Sequence, residues 1–190
     1  MTRALVALAG VLLSHPQEAH NEPVVREAVD YYDISGTTAR QLRAAINRAG
    51  PVTPGGKRGD GETRFNFQWQ YEVLPQRDPC RLTKFIVFVD LSTTLPRWSG
   101  KSQSSSSLVQ RWEKYLAALM RHEAGHKEIG LRAAAAVQER MTALPDQPTC
   151  ADLERAIEEA AKEVLKQHDQ DQDRYDTQTR NGQLQGVRFP

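Results

Sequence analysis

His122-Glu123-Ala124-Gly125-His126 sets two imidazoles four residues apart, with a carboxylate directly after the first. On an α-helix, residues four apart share a face, so both rings can reach one Zn²⁺ while Glu123 stands beside them as a base for water. The chemistry this pattern supports is metal-assisted hydrolysis of a peptide bond. The competing reading is a pair of hydrogen-bonded core histidines with an ordinary helix glutamate between them.

Catalytic zinc sites hold three protein ligands and keep one position for water, so the two histidines leave one ligand to find. The extended metzincin pattern requires Gly at 129 and His at 132, where this chain has Ile129 and Arg132. That class is excluded. A glutamate from a following helix is chemically suitable, and Glu154, Glu158 and Glu159 qualify by type. If the next helix turns back near Asp146 as an antiparallel hairpin, however, positions near 166 to 170 face the motif. His168 is therefore the first choice for third ligand and Asp176 the alternative, with Asp169 and Asp171 behind them.

The elements that must position these groups are readable from periodicity. Leu108, Trp112, Tyr115, Leu116, Leu119, Ile129, Ala133, Val137 and Met141 form one apolar stripe at helical spacing, and His122 and His126 lie on it. This helix should stop near Leu144-Pro145. A last helix begins after Cys150, with Leu153, Ile157, Val164 and Leu165 inward, and ends in a polar tail from His168 to Asp176. Upstream, Val29 to Gly36 reads as a strand and turn, and Thr38 with Gln41 forms a capping box for a helix through Arg48. Residues 53 to 61 are a loop by composition. Phe65, Phe67, Trp69, Tyr71 and Val73 alternate with polar residues, which describes a half-buried strand. A second strand, Arg81 to Leu91, is apolar on both faces and central, pairing antiparallel with the first. Thr93 to Trp98 should leave the sheet, and Ser99 to Ser107 is a connector.

The 190 residues suit one well-cored domain. A net charge of +1 and scattered basic residues give no support to a nucleic-acid partner. Mean hydropathy of −0.61 and 26% charged residues describe a soluble chain. Arg3 followed by apolar Ala4 to Leu13 is too short to span a bilayer and matches a secretory leader, so residues 1–20 are expected to be a signal peptide and 21–190 the mature domain. A periplasmic or secreted location follows, without stable membrane insertion after export. Cys80 and Cys150, an even pair in an exported chain, are expected to form a disulfide.

Tyr32-Asp33-Ile34-Ser35-Gly36-Thr37, Gly50-Pro51, the Trp69/Tyr71 strand, Cys80, Leu95-Pro96-Arg97-Trp98, Trp112, the HExGH motif, Cys150 and Tyr175-Asp176-x-x-Thr179 together resemble a bacterial family. It is a family of predicted secreted or periplasmic zinc-dependent proteases, long catalogued only as a domain of unknown function. The resemblance covers about residues 29 to 187. It implies peptidase activity without a known substrate, and it marks Tyr175 as a donor to the oxyanion. One departure is Asn181, where the family pattern carries histidine before the glycine.

The resulting expectation is an α+β, compact, zincin-like single domain. It has a small antiparallel or mixed sheet, a long helix bearing the motif and an antiparallel C-terminal helix. Zn²⁺ on His122, His126 and a third ligand would act with Glu123 on a peptide or protein substrate in the cell envelope or outside the cell. The rival is a non-catalytic exported envelope protein with a structural metal or none.

Overall fold

The computed structural model describes residues 22–53, 56–74 and 79–189. The expected signal peptide, residues 1–20, lies outside the described residues. The order is strand β1 (Val24–Ile34), helix α1 (Ala39–Ala49), strand β2 (Glu62–Leu74), strand β3 (Arg81–Trp98), helix α2 (Ser106–Thr142) and helix α3 (Cys150–Thr179). Two short 3-10 turns, Lys101–Gln103 and Gln183–Gln185, complete the described chain.

The three strands form a mixed sheet in the order β1-β3-β2, with β3 central. β2 and β3 are antiparallel, as their patterns predicted, while β1 joins the other side of β3 in parallel. β3 does not end at Leu91 but runs to Trp98. Pro96 lies within this extension, beyond the last β2–β3 pair, Glu62 with Thr94, where only β1 flanks the strand. A missing N–H on the other side therefore breaks no ladder bond. β1 likewise starts earlier than expected, at Val24.

Helix α1 begins with the predicted box: Thr38 Oγ1 accepts from the Gln41 N–H, and the Gln41 side chain accepts from the Thr38 N–H. Helices α2 and α3 form an antiparallel hairpin against β3 and β2. One core gathers Phe85, Val87 and Val89 of β3 with Val137 and Met141 of α2 and Leu153 and Ile157 of α3. A second, aromatic core joins Trp98, Trp112, Tyr115 and Phe189 to Ile34, Leu42 and Ile46. The motif lies between the two cores, so both ends of α2 are fixed while its centre faces a cleft.

The expected Cys80–Cys150 disulfide is present and ties the start of β3 to the start of α3. Beside it, Cys80 and Gln147 exchange backbone hydrogen bonds and Arg81 binds the Asp146 carboxylate. These contacts draw the connecting loop along the sheet, and the hairpin is centred near Thr149 rather than Asp146, because His126 faces Gln172. That displacement changes which residue of α3 meets the motif.

Candidate metal centre

His122 and His126 project from α2 with Nε2 atoms 3.3 Å apart. Asp176 of α3 brings its Oδ1 to 3.2 Å from the first and 3.1 Å from the second. A tetrahedral Zn²⁺ with bonds near 2.0–2.1 Å needs ligand atoms about 3.3 Å apart, so the triangle has the right size. His122, His126 and Asp176 are the group of metal-capable side chains found among the described residues.

The ring nitrogens behind this triangle decide what it can bind. His122 Nδ1–H donates to Gln185 Oε1 at 2.9 Å, and His126 Nδ1–H donates to Gln172 Oε1 at 2.5 Å. With both protons held on Nδ1, each Nε2 presents a lone pair toward the Asp176 carboxylate. Three acceptors then converge without a donor among them, an arrangement that favours a cation. A proton on Nε2 competes with a cation for the same carboxylate. Burial raises the Asp176 pKa, but hydrogen bonds with the two imidazoles outweigh it and hold the carboxyl well below its ordinary range. Burial lowers the His126 pKa, and its bonds to Asp176 and Gln172 outweigh that and raise it.

Glu123 is buried on the same helix, 4% exposed. Its Oε2 accepts from the Thr63 hydroxyl at 2.8 Å, which fixes the side chain from β2. Burial pushes its pKa up, opposed by Thr63 and the two imidazoles. A carboxylate raised in this way is a better proton acceptor for water than a free one.

The hairpin register places His168, the first choice for third ligand, outside the triangle. His168 lies two turns before Asp176, 8% exposed, with its ring edge-on to Phe65 and Phe67. Its Nε2 accepts from Gln172 Nε2 at 2.8 Å, and its Nδ1–H donates to Asp169 at 3.2 Å. A directional chain therefore runs from His126 through Gln172 and His168 to the Asp169 carboxylate. His168 orients the carboxamide that orients a histidine of the triangle. Asp171 holds Arg174 and Gln167, and neither it nor Asp169 joins the triangle. Glu154, Glu158 and Glu159 line a separate depression near the start of α3.

Tyr175 also differs from its expected role. Its ring stacks on His122 at 5.1 Å, and its hydroxyl donates to the His122 main-chain oxygen and accepts from Gln185. The phenol is committed to the backbone of α2 rather than aimed at a reacting carbonyl. Gly125 makes this seat possible, since a Cβ there would stand 2.1 Å from the Tyr175 oxygen. Gly182, with φ +75°, passes so close that a Cβ would meet His122 Cγ at 2.9 Å. It directs the chain into the turn that delivers Gln185. Asn181, also in the left-handed region, lines the cleft without entering the triangle.

The site opens into a cleft of about 1230 Å³ between the edge of β2 and helix α3, with the motif at its floor. One mouth is formed by residues 57 to 61, held by Asp60. Arg43 grips the Asp60 carboxylate through both terminal nitrogens, Tyr115 donates to it at 2.7 Å, and Tyr32 donates to its main-chain oxygen at 2.6 Å. The volume exceeds that of an ordinary small-molecule pocket.

Gln172, Gln185 and Thr63 escaped the sequence reading. Gln172 had a signal, because it lies four residues from both His168 and Asp176 on one helix face. Gln185 and Thr63 had none, since their positions depend on a turn and a strand register.

Fold and site together define a compact α+β protein in which two histidines and an aspartate form a metal-sized triangle beside a buried glutamate, open to a long cleft. Residues 29–183 match the family described as bacterial protein of unknown function, DUF922, and the chain belongs to that family. Comparison with curated proteins and with solved structures gives no match. No helix among the described residues is long and apolar enough to cross a membrane.

Proposed function

We propose that this protein is a zinc-dependent peptidase, acting on peptide or protein substrates in the bacterial envelope or outside the cell. The observation that carries the reading is the convergence of His122, His126 and Asp176 on one point beside Glu123. Three protein donors on a cleft leave a position for a reactant, whereas a structural zinc is closed by four protein ligands. His122, His126 and Asp176 would hold the ion, which supplies Lewis-acid polarisation of a carbonyl and acidification of water.

The chain's own residues supply the rest. Glu123, held by Thr63, takes a proton from water and returns it to the departing amine. Gln172 and Gln185 keep both imidazoles in the tautomer whose Nε2 is free to bind. The cleft accommodates an extended chain along β2. The disulfide supports an oxidising compartment and, with the apolar sequence from Ala4 to Leu13, an exported protein.

Glu123→Gln tests the assignment, because the amide keeps the shape and the ligands but cannot act as base. Zinc binding is expected to persist while hydrolysis of a quenched peptide library falls by about a thousandfold or more. Equal hydrolysis by zinc-loaded wild type and Glu123→Gln would overturn the role of Glu123. Zinc-loaded wild type that cleaves no peptide or unfolded protein would overturn the peptidase reading.

A further inference from the structure

Strand β1 is the least covered element of the fold. It pairs with β3 on one side, and on the other no strand flanks it among the described residues. Helix α2 lies over β3 and β2, and the aromatic core reaches β1 only at Tyr32 and Ile34. Residues 24 to 31 are consequently exposed on both faces of the strand. Val24, Val25, Val29 and Tyr31 keep 42%, 37%, 54% and 53% of their surface in solvent. The strand has eleven residues in unbroken register, with no proline, glycine or bulge. Edge strands are normally short, kinked, covered or charged, since an open row of N–H and C=O groups recruits another strand, and β1 carries charges of both signs rather than one. The cleft belongs to β2, at the opposite edge of the sheet.

We propose that β1 pairs with β1 of a second copy, antiparallel and with Ala28 on the twofold axis, joining two three-stranded sheets into one of six. The choice of a second copy rests on charge complementarity within the strand itself. Groups that point away from β3 alternate along β1, so antiparallel self-pairing must place a residue, not a peptide bond, on the axis. An axis at Glu27 or at Asp30 sets that carboxylate against its own copy. An axis at Val29 sets Val25 against the partner's Asp33 and forms no ion pair. An axis at Ala28 sets Arg26 against the partner's Asp30, twice by symmetry, with Val25 against the partner's Tyr31.

The charges are available for this pairing. Arg26 reaches only Asp90 at 3.8 Å and is 74% exposed, and Asp30 makes no ion pair among the described residues. The apolar residues follow the same symmetry. Val25, Val29 and Tyr31 share the face of β1 on which Glu27 binds Lys127 of α2, so the twofold gathers both sets on one side of the joined sheet. Met120 of α2, 52% exposed, lies between Lys127 and Tyr115, the points at which α2 is tied to β1 directly and through Asp60.

Sedimentation of the disulfide-intact protein over a range of concentrations tests the proposal. Wild type is expected to be a dimer. Arg26→Asp and Asp30→Arg, each alone, place like charges opposite one another and should raise the dimer dissociation constant about tenfold or more. The double variant Arg26→Asp/Asp30→Arg restores opposite charges across the axis and should restore the dimer. Both positions are exposed, and circular dichroism checks that each variant is folded. Ala28→Cys should form a covalent dimer on oxidation, because facing Cα atoms in such a ladder are about 4.5–5.5 Å apart, while Val29→Cys should not. A monomeric wild type at every soluble concentration overturns the proposal. So does a dimer indifferent to the single changes, a folded double variant that stays monomeric, or oxidation that joins Val29→Cys and leaves Ala28→Cys single.

Discussion

Asp176 and His126 stand fifty residues apart in the chain, yet Oδ1 of one lies 3.1 Å from Nε2 of the other. Their meeting depends on where the α2–α3 hairpin turns. The loop is pinned to β3 by the Cys80–Cys150 disulfide and by Arg81 on Asp146. A turn centred three residues earlier would face His168 to the motif instead. The disulfide end of the molecule thus helps set the chemistry of a site far along the hairpin.

The two glutamines make a prediction that a purely structural role would not. Gln185→Ala removes the acceptor for His122 Nδ1–H and the donor to Tyr175 together. Zinc affinity, measured by competition with a chromogenic chelator, should fall about 10–100-fold with the fold preserved. Gln172→Ala should do the same through His126. Unchanged affinity in both variants would show that the ring tautomers are set without them.

Gly125→Ala separates helix propensity from packing. Alanine favours a helix interior by about 1 kcal/mol, so a solvent-facing site would gain stability. Here the new Cβ would meet the Tyr175 hydroxyl. Overpacking costs about 1–3 kcal/mol, and the expected net result is lower stability in urea together with weaker zinc binding as Tyr175 leaves His122. A more stable variant with unaltered zinc affinity would place Tyr175 elsewhere.

Burial pushes the phenols of Tyr32 and Tyr115 upward, reinforced by the Asp60 carboxylate they flank. The fold favours their neutral forms. The stability they contribute is therefore fully present below about pH 10, the unfolded value, and is lost as pH rises toward their folded values. Ultraviolet titration should show Tyr32 and Tyr115 silent past pH 10 until the protein unfolds. Ionisation of both before any loss of far-ultraviolet ellipticity would contradict the Asp60 network.

Periodicity made much of this legible. The stripe from Leu108 to Met141 located α2 and placed His122 and His126 on its inner face, and Phe65 to Val73 located β2. Thr38 and Gln41 announced α1 by local chemistry alone. What failed were relations between distant segments. The second strand read as ending at Leu91 because the sequence does not show that β1 continues to pair with it as far as Trp98. His168 read as a ligand because a hairpin count assumes a symmetric turn, and nothing in residues 143 to 149 reveals how far the loop follows the sheet. The parallel placement of β1 was likewise hidden, since nothing in residues 24 to 34 tells which edge of the β2–β3 pair the strand joins.

Zinc titration of Asp176→Ala and His168→Ala beside wild type tests the central claim most directly. Wild type should bind one zinc per chain, and Asp176→Ala should lose affinity by orders of magnitude because a ligand is gone. His168→Ala should lose only about tenfold, through a loosened Gln172. One zinc bound equally by wild type and Asp176→Ala, with loss in His168→Ala, would contradict the account and move the third ligand to His168.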